Sequence, residues 1–128
     1  MKYLSDYMEE KQTALFEELG VFFAFSGEQF SKAKVEGVKY ANMGNGMFAP
    51  VDNAIAVIER MDKIHQDALK QDMEENGKDG IILRELYNHE AFHTGDISST
   101  VDVLEFYKDI TKDEIRIVYN NNYEKAHA

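Results

Sequence analysis

Apolar residues recur at helical spacing along most of the chain, and two stretches show this pattern most clearly. The first predicts a helix that Ser5 caps and that runs to about Leu19, where Gly20 supplies the stop. In the second, Pro50 opens the longest helix, about Val51 to Asn76, whose length at roughly 1.5 Å per residue is about 38 Å. Its predicted apolar face consists of Val51, Ala54, Ile55, Ile58, Met61, Ile64 or His65, Ala68, Leu69 and Met73.

Three short stretches between these helices have the pattern of strands. Val21 to Phe25 is apolar, aromatic and too short for a helix, which predicts a buried strand at the centre of the sheet. Val38 to Asn42 and Met47 to Ala49 flank Asn45 and Gly46, the favoured residue pair for a tight hairpin turn. The N-terminal half should therefore form a small sheet of two to four short strands.

Capping signals predict three more helices in the second half of the chain. Asn76 to Gly80 has the composition of a loop, and within it Asp79 caps the next helix. A short helix to about Tyr107 follows. Thr111 and Glu114 then form a capping box that opens the last helix. The final two helices should form a helical hairpin.

These elements predict an α+β fold that is predominantly helical, with a long central helix between the small sheet and the C-terminal hairpin. The length of 128 residues corresponds to one domain, residues 1–128. We expect the last helix to end at about Asn121 and the tail, about residues 120–128, to fray.

The composition is strongly acidic: 24 Asp and Glu against 14 Lys and Arg give a net charge of −10. A nucleic-acid backbone is therefore an unfavourable partner, whereas a basic protein surface is complementary. The absence of cysteine rules out disulfides and thiolate chemistry. The N-terminus MKYLSDYMEEKQ lacks the apolar core of a signal peptide, and no apolar run approaches the roughly 20 residues that span a bilayer. We expect a soluble, cytoplasmic protein.

The negative charge is concentrated in residues 51–105, which contain 13 acidic and 5 basic side chains. If this segment recognises a partner, its acids should face one side of the long helix and contact Lys and Arg on that partner. The candidate binding residues are Glu59, Asp62, Asp67, Asp72, Glu74 and Glu75. The alternative is a solvated acidic face that only keeps the protein soluble.

A possible metal motif lies at His89, Glu90 and His93, which spell H-E-A-F-H. In the H-E-x-x-H pattern, two imidazoles share one face of a helix and bind zinc, and the glutamate is the general base. A third protein ligand is required, and the candidates can be named only by elimination. They are Asp96, Glu105 and Glu114. Alternatively, the two histidines line the edge of a packed helical face that begins at Ile82 and Leu86.

The run ELYNHEAFHTGD and the opening YLSDYMEEKQTALFEELGVFFAFS resemble small uncharacterised proteins carried by bacterial viruses and mobile elements. The resemblance implies no reaction and no site residues. It implies an accessory or anti-defence role, because such elements often encode small acidic proteins that occupy a basic surface of a host factor.

Three functions follow from these observations. The first is a non-enzymatic, cofactor-free, macromolecule-binding protein, including the version that inhibits a host nuclease or other defence protein in the host cytoplasm. The second is a zinc-dependent hydrolase that uses His89, Glu90 and His93. The third is a sponge or sensor for a small ligand such as a nucleotide, bound near the Gly44-Asn45-Gly46 loop. We also expect a homodimer, because a small core has difficulty covering both faces of a long helix.

Overall fold

The computed structural model describes residues 2–127. Helices form most of this range and a small antiparallel sheet lies in its N-terminal half, which confirms the predicted fold class. The helices are α1 (Glu9–Leu19), α2 (Gly27–Ala33), α3 (Ala54–Asn88), α4 (Ala91–Thr94), α5 (Ser98–Val103) and α6 (Lys112–His127). The strands are β1 (Phe22–Phe23), β2 (Tyr40–Gly44) and β3 (Met47–Pro50). Short 3-10 turns occur at Leu4–Tyr7, Val51–Asn53 and Leu104–Phe106.

The described residues fall into two units. The sheet unit contains residues 5–68, and the helical unit contains residues 2–4 and 69–127. Helix α3 contributes residues to both, and the boundary lies between Ala68 and Leu69.

The sheet has the order β1-β3-β2, with antiparallel pairing throughout. The prediction that the strand within Val21 to Phe25 occupies the centre is wrong, because β3 pairs with both neighbours and β1 lies at an edge. Only Phe22 and Phe23 join the ladder, opposite Phe48 and Met47. β1 pairs with β3 alone, and Phe23 remains 50% exposed.

The hairpin between β2 and β3 turns at Asn45 and Gly46, as predicted. Both residues have positive φ, 54° and 81°. This is the conformation that a tight two-residue turn requires and that Asn and Gly adopt most readily. The register shifts between Asn42 and Gly44, because Gly44 pairs with Met47 while Asn42 pairs with Phe48. The hairpin therefore contains a bulge beside its turn.

In the sheet unit, α1 ends where Gly20 adopts a left-handed conformation with φ of 73°. The start of α3 is fixed to this end by the Asn53 side chain, which donates a hydrogen bond to the Leu19 carbonyl over 2.9 Å. Nearby, Arg60 of α3 pairs with Glu18 of α1 at 2.8 Å. These contacts join the start of α3 to the end of α1.

The range of α3 contains two helical segments that meet at Gly77, so the long helix breaks one residue after its predicted end at Asn76, and the expected loop at Asn76 to Gly80 is reduced to that glycine. That residue has φ of 70° and ψ of 165°, a combination open almost only to glycine. A single glycine changes the helix direction here, and the chain resumes helical geometry at Lys78. Asp79 therefore lies within the helix and does not cap it.

The helical unit has one continuous apolar core with contributions from α3, α4, α6 and the segment around Leu104. Its buried members are Leu69, Ile81, Ile82, Leu86, Ala91, Phe92, Leu104, Tyr107, Ile110, Ile115 and Val118. Burial of a large apolar side chain stabilises a fold by about 1.5–3 kcal/mol, so this core is the main stabilising feature of the unit.

The predicted capping box of α6 is confirmed. Glu114 N–H donates to Thr111 Oγ1 over 3.2 Å, and Thr111 N–H donates to the Glu114 carboxylate over 3.1 Å. The helix continues past the predicted end at Asn121 to His127. Aromatic contacts favour the extension, since the rings of Tyr123 and His127 lie 4.3 Å apart. Of the predicted frayed tail, Ala128 lies outside the described residues. Among residues 2–127, no helix is both long and apolar enough to cross a membrane.

Candidate functional site

An exposed stripe of branched apolar side chains runs along the first turns of α3 and the 3-10 turn before it. Val51 is 52% exposed, Ile55 72% and Ile58 59%. Their spacing of four and three residues places them on one side of the helix. We call these three residues the exposed stripe. The sequence pattern predicts these three residues on the apolar face that packs in the core, and this prediction is wrong. The structure leaves them exposed and fully buries Val57 instead.

Acidic side chains accompany the exposed stripe. Asp62 lies four residues after Ile58 and continues its line, and Glu59 lies beside it on the helix surface. Both carboxylates are exposed. The nearby cations already have partners, because Arg60 pairs with Glu18 and Lys63 pairs with Asp67 at 3.0 Å. An apolar strip with acidic groups along it is therefore presented to solvent.

Asp72 does not belong to this surface, which corrects its assignment as a partner-binding residue. Its side chain is fully buried in the helical unit. Arg84 donates to both carboxylate oxygens over 2.9 and 3.0 Å, and Asn76 donates over 2.6 Å. The Tyr107 hydroxyl donates a further short hydrogen bond. The physical reason is that the buried Arg84 guanidinium requires a buried carboxylate partner.

The electrostatics of this cluster follow from burial and hydrogen bonding. Burial alone would raise the pKa of Asp72, but the hydrogen bonds from Arg84, Tyr107 and Asn76 outweigh it and hold that pKa below its ordinary value. Burial, together with the Asp72 carboxylate, raises the pKa of the Tyr107 hydroxyl well above the usual range. Asp72 and Arg84 therefore form a permanent ion pair at neutral pH.

The other contacts of Arg84 extend the cluster to Glu85, whose Oε1 lies 3.3 Å from Arg84 Nε, and to the Lys2 carbonyl at 2.9 Å. The second oxygen of Glu85 is buried without a hydrogen bond, and so is Nε2 of His89 at 3.8 Å from it. His89 therefore faces the interior of the helical unit.

Glu74 and Glu75 are exposed on the helical-unit part of α3. Glu75 accepts a hydrogen bond from Gln71 over 3.3 Å. They belong to a different unit from Glu59, Asp62 and Asp67. The candidate binding surface therefore consists of the exposed stripe and these three acids of the sheet unit.

The H-E-x-x-H motif does not lie on one helix. Helix α3 ends at Asn88, Glu90 adopts a left-handed conformation with φ of 55°, and His93 belongs to α4. The zinc hypothesis requires the imidazoles of His89 and His93 on one face of a single helix, and the two residues do not share a helix. Across residues 2–127, no group of three or more His, Cys, Asp or Glu side chains is arranged to hold a metal ion.

The proposed third ligands have other roles. Glu114 pairs with Lys78 at 3.0 Å and caps α6, and Asp96 accepts from Ser98 N–H over 2.9 Å. Glu105 lines a separate cavity. The motif residues Glu90 and His93 instead line a cavity of about 250 Å³ beside the aromatic side chains Tyr87 and Phe92 and the imidazole of His127.

A comparison with protein families finds one profile that matches residues 4–125, nearly the whole chain, and it is described as a family of unknown function, DUF7659. The chain belongs to this family. The matched residues cover nearly all of both units, and the family description assigns no activity. Searches of curated proteins and of solved structures each find no match.

Proposed function

We propose that the chain is a small acidic protein that binds another macromolecule through the exposed stripe and the acids beside it. The partner is a protein surface that presents Lys and Arg around an apolar centre. The observation that carries the proposal is the position of Ile55 and Ile58, largely exposed, next to the carboxylates of Glu59 and Asp62.

The apolar and the acidic side chains of this surface should contribute differently to binding. Transfer of a branched aliphatic side chain from water into an apolar environment yields about 1.5–3 kcal/mol, so the exposed stripe supplies affinity. Exposed carboxylates add little to affinity but speed encounter with an oppositely charged surface. Glu59 and Asp62 have no ion-pair partner among residues 2–127, so both are available for this role.

We further propose that the chain is an accessory protein of a bacterial virus or mobile element and that it acts in the host cytoplasm. Its target would be a host nuclease or other defence protein. Proteins that bind nucleic acid carry basic surfaces that neutralise phosphates. A chain with a net charge of −10 is complementary to such a surface.

The test compares two triple charge reversals of equal charge change in the sheet unit. The site variant carries Glu59→Lys, Asp62→Lys and Asp67→Lys. The control variant carries reversals to Lys at three exposed acids of the sheet unit that lie outside α3, Glu10, Glu17 and Glu36. A partner is captured from host extract by the wild-type chain and identified, and its association rate with each purified variant is measured by surface plasmon resonance.

We expect the site variant to slow association at least about tenfold and the control variant to change it much less. A further pair of substitutions, Ile55→Ser with Ile58→Ser, should speed dissociation, because it removes apolar contact without changing charge. Equal effects of the two charge reversals, together with an unchanged dissociation rate for the serine pair, would reject this surface.

A further inference from the structure

A groove of about 600 Å³ lies beside the β2–β3 hairpin in the sheet unit, separate from the exposed stripe. Phenylalanine rings, small residues and uncharged polar side chains line it. The side chains that line it include Phe25, Ser26, Phe30, Asn42, Asn45 and Phe48. Its lining includes no charged side chain, although charged residues make up 30% of the whole chain.

The ring of Phe25 forms one side of the groove and is 76% exposed. It lies directly on the backbone of Gly46, where an added Cβ would come within 2.3 Å of the Phe25 ring. Gly46 therefore serves both the positive φ of the turn and the close approach of the ring. The hairpin holds a large aromatic face toward solvent in a defined place.

The other rings in the groove have rigid support. Phe30 of α2 and Phe48 of β3 contact each other with ring centroids 4.9 Å apart. Phe48 is also stacked on Phe22 at 5.6 Å, and Tyr40 packs against Phe22 at 5.0 Å. An aromatic surface that is already ordered loses little conformational entropy when a flat ligand packs against it.

Hydrogen-bonding groups remain available along the groove. Asn42 uses its carbonyl oxygen to accept from Gly44 N–H over 2.9 Å, which leaves its NH₂ group as a donor. Ser26 Oγ accepts from Gln29 N–H over 3.1 Å, which leaves its hydroxyl proton. The Asn45 side chain, at the turn, offers both a donor and an acceptor. Carboxamides form paired hydrogen bonds with the edges of nucleobases.

We propose that this groove binds an uncharged planar heteroaromatic ring, a nucleobase or its nucleoside. Every nucleobase has a flat face that can stack on an aromatic side chain, and the carboxamides of Asn42 and Asn45 would contact the edge of the ring. The uncharged lining and the net charge of −10 disfavour a phosphate group on the ligand. This site is independent of the proposed partner binding through the exposed stripe.

The first test is an NMR titration of the ¹⁵N-labelled full chain with adenosine, guanosine, cytidine and uridine. We expect at least one nucleoside to shift the amide resonances of Gly44, Asn45 and Gly46 in a saturable way. Phe25→Ala should weaken this binding about tenfold or more, because it removes a stacking face. The matched control is Phe23→Ala, which removes a half-exposed ring that does not line the groove.

A second variant separates binding from folding. Asn45→Gly keeps a residue that accepts the positive φ of the turn but removes the carboxamide. It should weaken binding severalfold while the hairpin amide resonances keep their dispersion. Absence of saturable shifts with all four nucleosides at low millimolar concentration would refute the site. Equal affinity of Phe25→Ala and the wild type would also refute it, and tighter binding of adenosine monophosphate than of adenosine would overturn the assignment of an uncharged ligand.

Discussion

Asp72 keeps a full negative charge in the interior of the helical unit, and its partners determine whether this charge lowers the stability of the fold. Taking a carboxylate out of water costs several kcal/mol, which only close charged and hydrogen-bonded partners offset. Arg84, Tyr107 and Asn76 together surround both oxygens. Loss of one partner of a buried ion pair typically destabilises a protein by about 3–5 kcal/mol. Because Asp72 precedes Gly77 and Arg84 follows it, the cluster connects both helical segments of α3 to Tyr107.

The lowered pKa of Asp72 predicts a pH dependence of stability. In the unfolded chain the carboxyl titrates near its ordinary pKa of 3.8, and in the folded chain it titrates lower. Its stabilising contribution is thus complete above the unfolded pKa and is lost as the pH falls through the folded pKa. We expect the free energy of unfolding to decrease as the pH falls below about 4.

Urea unfolding at a series of pH values down to about pH 2 measures this effect. The Asp72→Asn variant should be less stable at neutral pH and should lose less stability on acidification than the wild type. The exposed Asp62→Asn is the control and should follow the wild-type curve. Parallel curves for the wild type and Asp72→Asn would show that this carboxyl does not contribute to the acid transition.

Elements defined by local chemistry could be predicted from the sequence, and those defined by distant partners could not. The Asn45-Gly46 turn and the Thr111–Glu114 capping box depend on residues within four positions, and both are present. The edge position of β1 depends on pairing with β3, about 25 residues away, which no local pattern encodes. Ile55 and Ile58 have the spacing of a core face, and only the packing of α3 shows that they are exposed.

Gly77 breaks α3, and a single substitution tests this directly. An added Cβ at this position would meet no atom within 4 Å, so Gly77→Ala introduces backbone strain without a steric clash. Its φ of 70° and ψ of 165° are unfavourable for any other residue, and strain of this kind costs about 1–3 kcal/mol. We expect a loss of stability of that size by urea unfolding.

Gly27→Ala is the matched control, since Gly27 also has open space around a Cβ but lies in α2 without a positive φ. That variant should be neutral or more stable by about 0.4–1 kcal/mol, because alanine restricts the unfolded chain. If Gly77→Ala were as stable as Gly27→Ala, residue 77 would have to be an ordinary helical position, and α3 would be unbroken.

The same exposed stripe is available to a basic partner and to a second copy of the chain. The two kinds of complex differ in electrostatics. Pairing of two copies through the exposed stripe brings Glu59 and Asp62 of both chains to one interface, where like charges repel. A basic partner instead attracts them. Salt screens both interactions, with a Debye length of about 10 Å at 0.1 M and about 3 Å at 1 M.

Self-association should therefore increase with salt, whereas association with a basic partner should slow. Multi-angle light scattering at tens of micromolar should give a mass that rises from near the monomer value of 14.7 kDa toward that of a two-fold dimer as salt is added. Glu59→Gln with Asp62→Asn should form the dimer at low salt, because the repulsion is removed. Ile55→Ser with Ile58→Ser should remain monomeric at every salt concentration. A wild-type monomer throughout the series would exclude self-pairing, and the apolar side chains of the exposed stripe would then be available only to a different protein.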